Sequence, residues 1–204
     1  LYQRIVEIIP ENLDAVLLLG VEYAELGKYQ EAIDCFKRCI TGSPSKGGLY
    51  RMLGVALAEM GRHEEARDQF QIACNINAKD DDALTRLAIE HIHFLKMADA
   101  ETCLLQALAI NPLNALAYNH LGRAYKFQGR ADEAVHAFGK ALALEPDNHV
   151  VVNNLLLSLN YLPEADPEQV AAEHRGHCSR VYGVSTKVNS CGKSAAPRLP
   201  LRVG

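Results

Sequence analysis

Residues 115–148 read ALAYNHLGRAYKFQGRADEAVHAFGKALALEPDN, and their pattern decides the fold. Tyr118, Leu121 and Tyr125 recur at helical spacing, which predicts an amphipathic helix from Ala115 to Gln128. Ala134, Phe138 and Ala141 predict a second helix from Ala131 to Leu144. Gly129 stands between them, a residue that takes the left-handed turn closing a helix without steric cost. Gly122, Ala134 and Ala141 are small where the two helices would touch, so the backbones can approach. Pro146 cannot continue a helix and marks the step to whatever follows.

Shifting this 34-residue frame along the chain finds the same pattern without drift. Residues 13–46 supply Leu19, Gly20, Tyr23, Gly27, Ala32, Phe36, Cys39 and Pro44. Residues 47–80 supply Leu53, Gly54, Leu57, Gly61, Ala66, Phe70 and Ala73, with Ala78 in place of proline. Residues 81–114 supply Leu87, Ala88, His91, Ala100, Leu104, Ala107 and Pro112, but Leu95 replaces the turn glycine. That turn is predicted to be strained or differently built. Residues 1–12 match the last third of a unit, through Tyr2, Ile5 and Pro10. The chain thus opens inside a helix pair, without an initiator methionine, as expected for a piece of a longer parent. Residues 149–160 fit the first helix of a fifth unit, through Val152, Leu155, Leu156 and Leu159.

A helix–turn–helix unit at fixed period predicts an all-α solenoid, each unit burying its apolar face on its neighbours. The pattern resembles the tetratricopeptide repeat (TPR). That resemblance implies a right-handed superhelix whose first helices line a concave face. The expected organisation is a TPR solenoid over 1–160, a capping or linker helix over 161–182 and a flexible linker over 183–204.

Composition agrees with alanine-rich helix packing: the 204 residues are 49% hydrophobic and contain no tryptophan. A net charge of −4 gives no bulk attraction to nucleic acid. No apolar run reaches the roughly 18 residues of a membrane span, and no signal peptide is visible. The six cysteines form no C-x-x-C pair. Cys35, Cys39, Cys74 and Cys103 fall on packed helices and read as reduced core residues of an intracellular, cytoplasmic protein.

Beyond the repeats, Asp166-Pro167 supplies an N-cap and a first-turn proline for a helix to Tyr182. Val170, His174 and Cys178 share one face of it, suited to covering an open solenoid end. From Gly183 the sequence turns to Ser, Gly, Lys, Pro and Asn, a linker composition, before a short β-like LPLRVG run over 199–204. This junction resembles that of O-linked N-acetylglucosamine transferases, including the plant SPINDLY type. The matching segments are 155–161, 172–175 (AEHR) and 201–204 (LRVG). The resemblance implies the substrate- and partner-recruiting arm of a glycosyltransferase whose catalytic domain lies beyond residue 204. Gly176 and Cys178 are smaller than that family's pattern. No catalytic residue and no cofactor is then expected in this chain, and UDP-GlcNAc enters only through the absent domain. The alternative is a stand-alone TPR adaptor.

In the family geometry the first helix of each pair faces the groove. Carried onto this sequence, the groove residues are Arg51, Arg86, Asn119, His120, Arg123, Lys126, Asn153 and Asn154, with Glu25, Glu59 and His93 at its margin. Arginine holds a carboxylate bidentately and asparagine bonds peptide backbone as both donor and acceptor. The expected partner is a protein or extended peptide, acidic or polar. The first half of the groove is apolar (Leu17, Leu18, Val21, Met52, Val55), so a helix or a second protomer of a homo-oligomer is its alternative occupant. O-linked N-acetylglucosamine transferases carry an asparagine ladder here; the corresponding residues are Leu18, Met52, Arg86, His120 and Asn154, and the last alone keeps it. A chaperone-type carboxylate clamp is hinted at by Arg51 and Arg86, but Val21 and Val55 stand where it needs asparagine. His174, His177 and Cys178 could supply metal ligands, yet lack a fourth and read as packing residues, so no metal is expected. His91 and His93 lie two apart on a helix and point to different faces.

Overall fold

In a computed structural model, the described residues are 2–162 together with the isolated positions 168, 172 and 176. Among them are ten helices and no strand. α1 spans Tyr2–Ile8, α2 Leu13–Glu25, α3 Tyr29–Gly42, α4 Gly47–Glu59 and α5 His63–Ile76. α6 spans Asp81–His93, α7 Met97–Ile110, α8 Ala115–Phe127, α9 Ala131–Leu144 and α10 His149–Leu159. Each even-numbered helix from α2 to α8 packs on the helix that follows it, and that helix packs on the next pair. The first helices also meet directly, α6 with α8 and α8 with α10. Glu168, Ala172 and Gly176 are helical and exposed. Val170, His174, His177 and Cys178, and the 183–204 linker, lie outside the described residues.

The period is visible in the packing. A Cβ built on Gly54 would come within 2.7 Å of Phe70, and one on Gly122 within 2.7 Å of Phe138. Each glycine gives up its side chain so that a phenylalanine from the second helix can lie flat on the first. Phe36, Phe70 and Phe138 are all fully buried, and Gly20 faces Phe36 in the same way. The third unit exchanges the volumes: Ala88 stands for the glycine and Leu104 for the phenylalanine, and both are fully buried. One apolar cluster runs unbroken from Ala32 to Ala137. A smaller one at the first unit joins Val16, Leu19, Cys35, Cys39 and Leu49, with Tyr2 and Val6 of α1 packed against it. Cys35, Cys39 and Cys74 are buried free thiols; burial raises their pKa values, that of Cys74 to about 12.

The helix ends repeat as well. Asn12, Asp80, Asn114 and Asn148 cap α2, α6, α8 and α10, each side chain accepting from the backbone N–H three residues on. Lys46 occupies the equivalent place before α4 and makes no such bond. The turns inside the pairs place Gly27, Gly61 and Gly129 at φ of 71°, 75° and 76°. Leu95 takes the same turn at φ 58°, so the third turn is built like the others and carries the strain. Leu95 is 75% exposed and loses little contact on replacement. A left-handed leucine costs about 1–2 kcal/mol, and a glycine gives back about 0.4–1 kcal/mol through the freer unfolded chain. Leu95→Gly should therefore stabilise by about 0.5–1 kcal/mol, and Leu95→Asn should also stabilise. Urea unfolding checks this: no gain in either variant would mean that the turn stores no strain.

Candidate functional site

α2, α4, α6, α8 and α10 carry all the groove residues named from the sequence, and the structure sorts these into three zones. The first, on α2 and α4, is apolar: Leu17, Val21, Met52 and Val55 are partly buried and Leu18 is exposed.

The second zone, between α4 and α6, neutralises itself. Arg51 Nε lies 3.2 Å from Asp80 Oδ2, and Arg51 Nη1 pairs with Asp82. Arg86 Nε lies 3.1 Å from the same Asp82 carboxylate, one turn earlier on α6. Both arginines, read from the sequence as ligand-binding cations, thus already face carboxylates of their own chain. Next to them, Asp81 accepts from Asn111 at 2.8 Å and Asn114 at 2.9 Å, tying the start of α6 to the turn between α7 and α8.

The third zone, on α8 and α10, is polar and cationic. Asn154 donates to Asn119 at 3.1 Å, bridging consecutive first helices; Asn119 is buried. His120 is buried, and its Nδ1 lies 3.1 Å from Arg123 Nη1. An arginine can only donate, so Nδ1 accepts and the imidazole proton sits on Nε2. Burial first, and the Arg123 charge second, push the His120 pKa down to about 4. Desolvation also pulls down the pKa of the half-buried Arg123. Among the described residues no carboxylate pairs with Arg123, whose protein hydrogen bond is to a neutral ring. Lys126 on α8 is half-buried and Asn153 on α10 is exposed.

One cluster escaped the sequence reading. Glu90 is 3% exposed, and His63 Nδ1 lies 2.9 Å from its carboxylate. The His63 ring stacks on His93 at 3.8 Å between centroids. Glu90 lies on a first helix and His63 opens the second helix of the preceding unit, so the pair bridges units two and three. A glutamate on the buried face of α6 was the available signal. His91 turns away from His93, its Nδ1 buried without a hydrogen-bond partner. Among the described residues no group of three or more His, Cys, Asp or Glu could hold a metal ion, and no helix is long and apolar enough to cross a membrane.

Comparison with known proteins supports the repeat pattern. Tetratricopeptide-repeat family models match residues 17–83 and 115–148. The mouse BBSome complex member BBS4 is 28% identical over 129 residues, covering 63% of this chain and 25% of that protein. The chain therefore spans about a quarter of that relative. The crystal structure of MamA is 28% identical, with a TM-score of 0.65 over 71% of this chain and 85% of that one. YrrB, described as a TPR protein with an unusual peptide-binding site, superposes with a TM-score of 0.67 at 16% identity, over 87% of this chain and 91% of that one, a likeness of fold. Period, paired helices and these matches agree: the chain is a tetratricopeptide-repeat protein, folded over its described repeats as an all-α TPR solenoid.

Proposed function

We propose that residues 2–162 are a protein-interaction module that holds an extended segment of a partner protein along the groove of α2, α4, α6, α8 and α10. The carrying observation is Arg123. A guanidinium half out of water, bonded to a neutral imidazole and without a carboxylate among the described residues, is costly for the free protein and is offset by an incoming anion. Asn119, Asn153 and Asn154 beside it supply donors and acceptors suited to peptide backbone. YrrB, which shares the fold, is described with a peptide-binding site, in keeping with this use of the scaffold.

The glycosyltransferase-arm reading rests on the sequence junction at 155–161, 172–175 and 201–204 alone. The repeats serve equally a stand-alone adaptor, and none of the relatives named above is described as a glycosyltransferase. Transfer of labelled N-acetylglucosamine by the product of the whole gene, and not by this chain, would favour the arm; no transfer by either would favour the adaptor.

Crosslinking of the chain in a lysate, with identification of captured proteins by mass spectrometry, tests the groove. Arg123→Glu should deplete the captured set at least about tenfold, the scale of one charge-assisted hydrogen-bonded contact. Glu64→Lys, exposed at the start of α5, should leave it unchanged. Equal capture by wild type and Arg123→Glu, with helicity retained, would exclude the groove.

A further inference from the structure

Resting on that groove reading, we infer that the bound segment is bipartite: apolar side chains seated on Met52, Val55 and Leu18, and a carboxylate on Arg123 and Lys126, separated by about six residues. The assignment follows from how charge is distributed along the groove. Four cationic side chains line it, but Arg51 and Arg86 are occupied by Asp80 and Asp82. An acidic group brought to α4 or α6 would meet an arginine already neutralised and a carboxylate beside it. At α8 it meets a half-buried guanidinium and an ammonium with no competing carboxylate among the described residues, so the acid of the ligand belongs there.

The opposite end selects apolar character. Leu17 and Val21 on α2 and Met52 and Val55 on α4 are partly buried apolar residues of two successive first helices, and Leu18 beside them is 45% exposed. Partner side chains that cover them gain the burial of apolar area on both sides. If the step from α4 to α6 matches that between α6 and α8, which meet directly, at roughly 10 Å for packed helices, α4 and α8 are separated by about 20 Å. An extended chain advances about 3.3 Å per residue, which sets the spacing at about six residues. The self-neutralised zone between is crossed by backbone, for which Thr85 is buried and unavailable and Arg86 offers its remaining N–H groups.

Selection from a random dodecapeptide phage library on the immobilised 1–204 chain tests this. Enriched peptides should carry an aspartate, glutamate or C-terminal carboxylate five to seven residues from an aliphatic or aromatic residue. For a synthetic copy of an enriched peptide, Arg123→Gln should weaken binding about 10- to 100-fold, and Arg86→Gln less than about threefold, if the helical content of both is unchanged. Met52→Glu should remove the apolar preference and leave the acidic one. Enriched peptides without an acid, or an affinity indifferent to Arg123→Gln but sensitive to Met52→Glu, would overturn the bipartite assignment while leaving the groove in place. No enrichment, or binding that ignores both substitutions, would overturn the groove reading itself.

Discussion

Replacing Phe138 by alanine is expected to lower the free energy of unfolding by about 3–5 kcal/mol, the cost of emptying a fully buried aromatic site that cannot collapse. The site cannot collapse because its opposite wall is the backbone of Gly122, which has no side chain to move into the gap: a Cβ there would stand 2.7 Å from Phe138 Cε1. The third unit offers an internal control, since Ala88 and Leu104 fill the equivalent space with both residues fully buried. Gly122→Ala alone should cost about 1–3 kcal/mol by overpacking. Phe138→Leu alone should cost about 1–2 kcal/mol through the gap left on the glycine side. The double variant should recover at least half of the summed loss, because each change relieves the other. Urea denaturation of the four proteins measures the cycle. A double variant as unstable as the sum of the singles would show that glycine–phenylalanine complementarity is not what joins the helices of a pair.

Acid should loosen the fourth unit through His120. Its native pKa of about 4 lies below the ordinary value of 6.5, because burial and the Arg123 charge disfavour the imidazolium. The unfolded chain therefore takes up a proton that the folded chain refuses. The stability that neutral His120 contributes is fully present above pH 6.5 and is lost progressively as the pH falls to about 4, below which both states are protonated. A shift of that size corresponds to up to about 3 kcal/mol. His120→Asn, which keeps an acceptor for Arg123 and cannot titrate, should flatten this part of the pH–stability profile. His91 shifts in the same direction, pulled down first by its burial, and His120→Asn leaves its smaller contribution in place. A profile between pH 6.5 and 4 identical in wild type and His120→Asn would show that the ring is solvated in the native state.

The repeats were legible because one amphipathic pattern recurs at a fixed interval, so a weak signal in any unit is reinforced by the others. The facing of Gly20, Gly54 and Gly122 by phenylalanines came from the structure, whereas the small residues at the helix contacts and the left-handed turns could be read directly. So could the oddity at Leu95, although the sequence left open whether the turn would be rebuilt or merely strained. The Asn and Asp caps at 12, 80, 114 and 148 lie at the same interval and were equally readable once helix starts were considered. The charge state of the groove was not. Arg51 and Arg86 carry the same formal charge as Arg123, and what separates them is Asp82, one turn before Arg86 on α6, together with the reach of Arg51 to Asp80 and Asp82 at the start of that helix. The Arg51–Asp82 pairing joins residues 31 apart and depends on the angle between neighbouring units, which no local pattern encodes, whereas Arg86 and Asp82 stand one helical turn apart. The burial of Glu90 under His63 was hidden for the same reason.

For a ligand held as proposed, the strained turn at Leu95 would matter. In a linear array each unit leans on its neighbours alone, so strain in the third unit is not shared out over a common centre. That unit stands between the apolar and the cationic parts of the groove, and its local opening would let the two parts move independently. A segment gripped at both ends acts as a bivalent clamp: once one end is seated, the second is presented at an effective concentration fixed by the intervening chain. On the binding mode proposed above, such a clamp would favour the closed unit over the open one and offset by occupancy the strain of leucine in a left-handed turn.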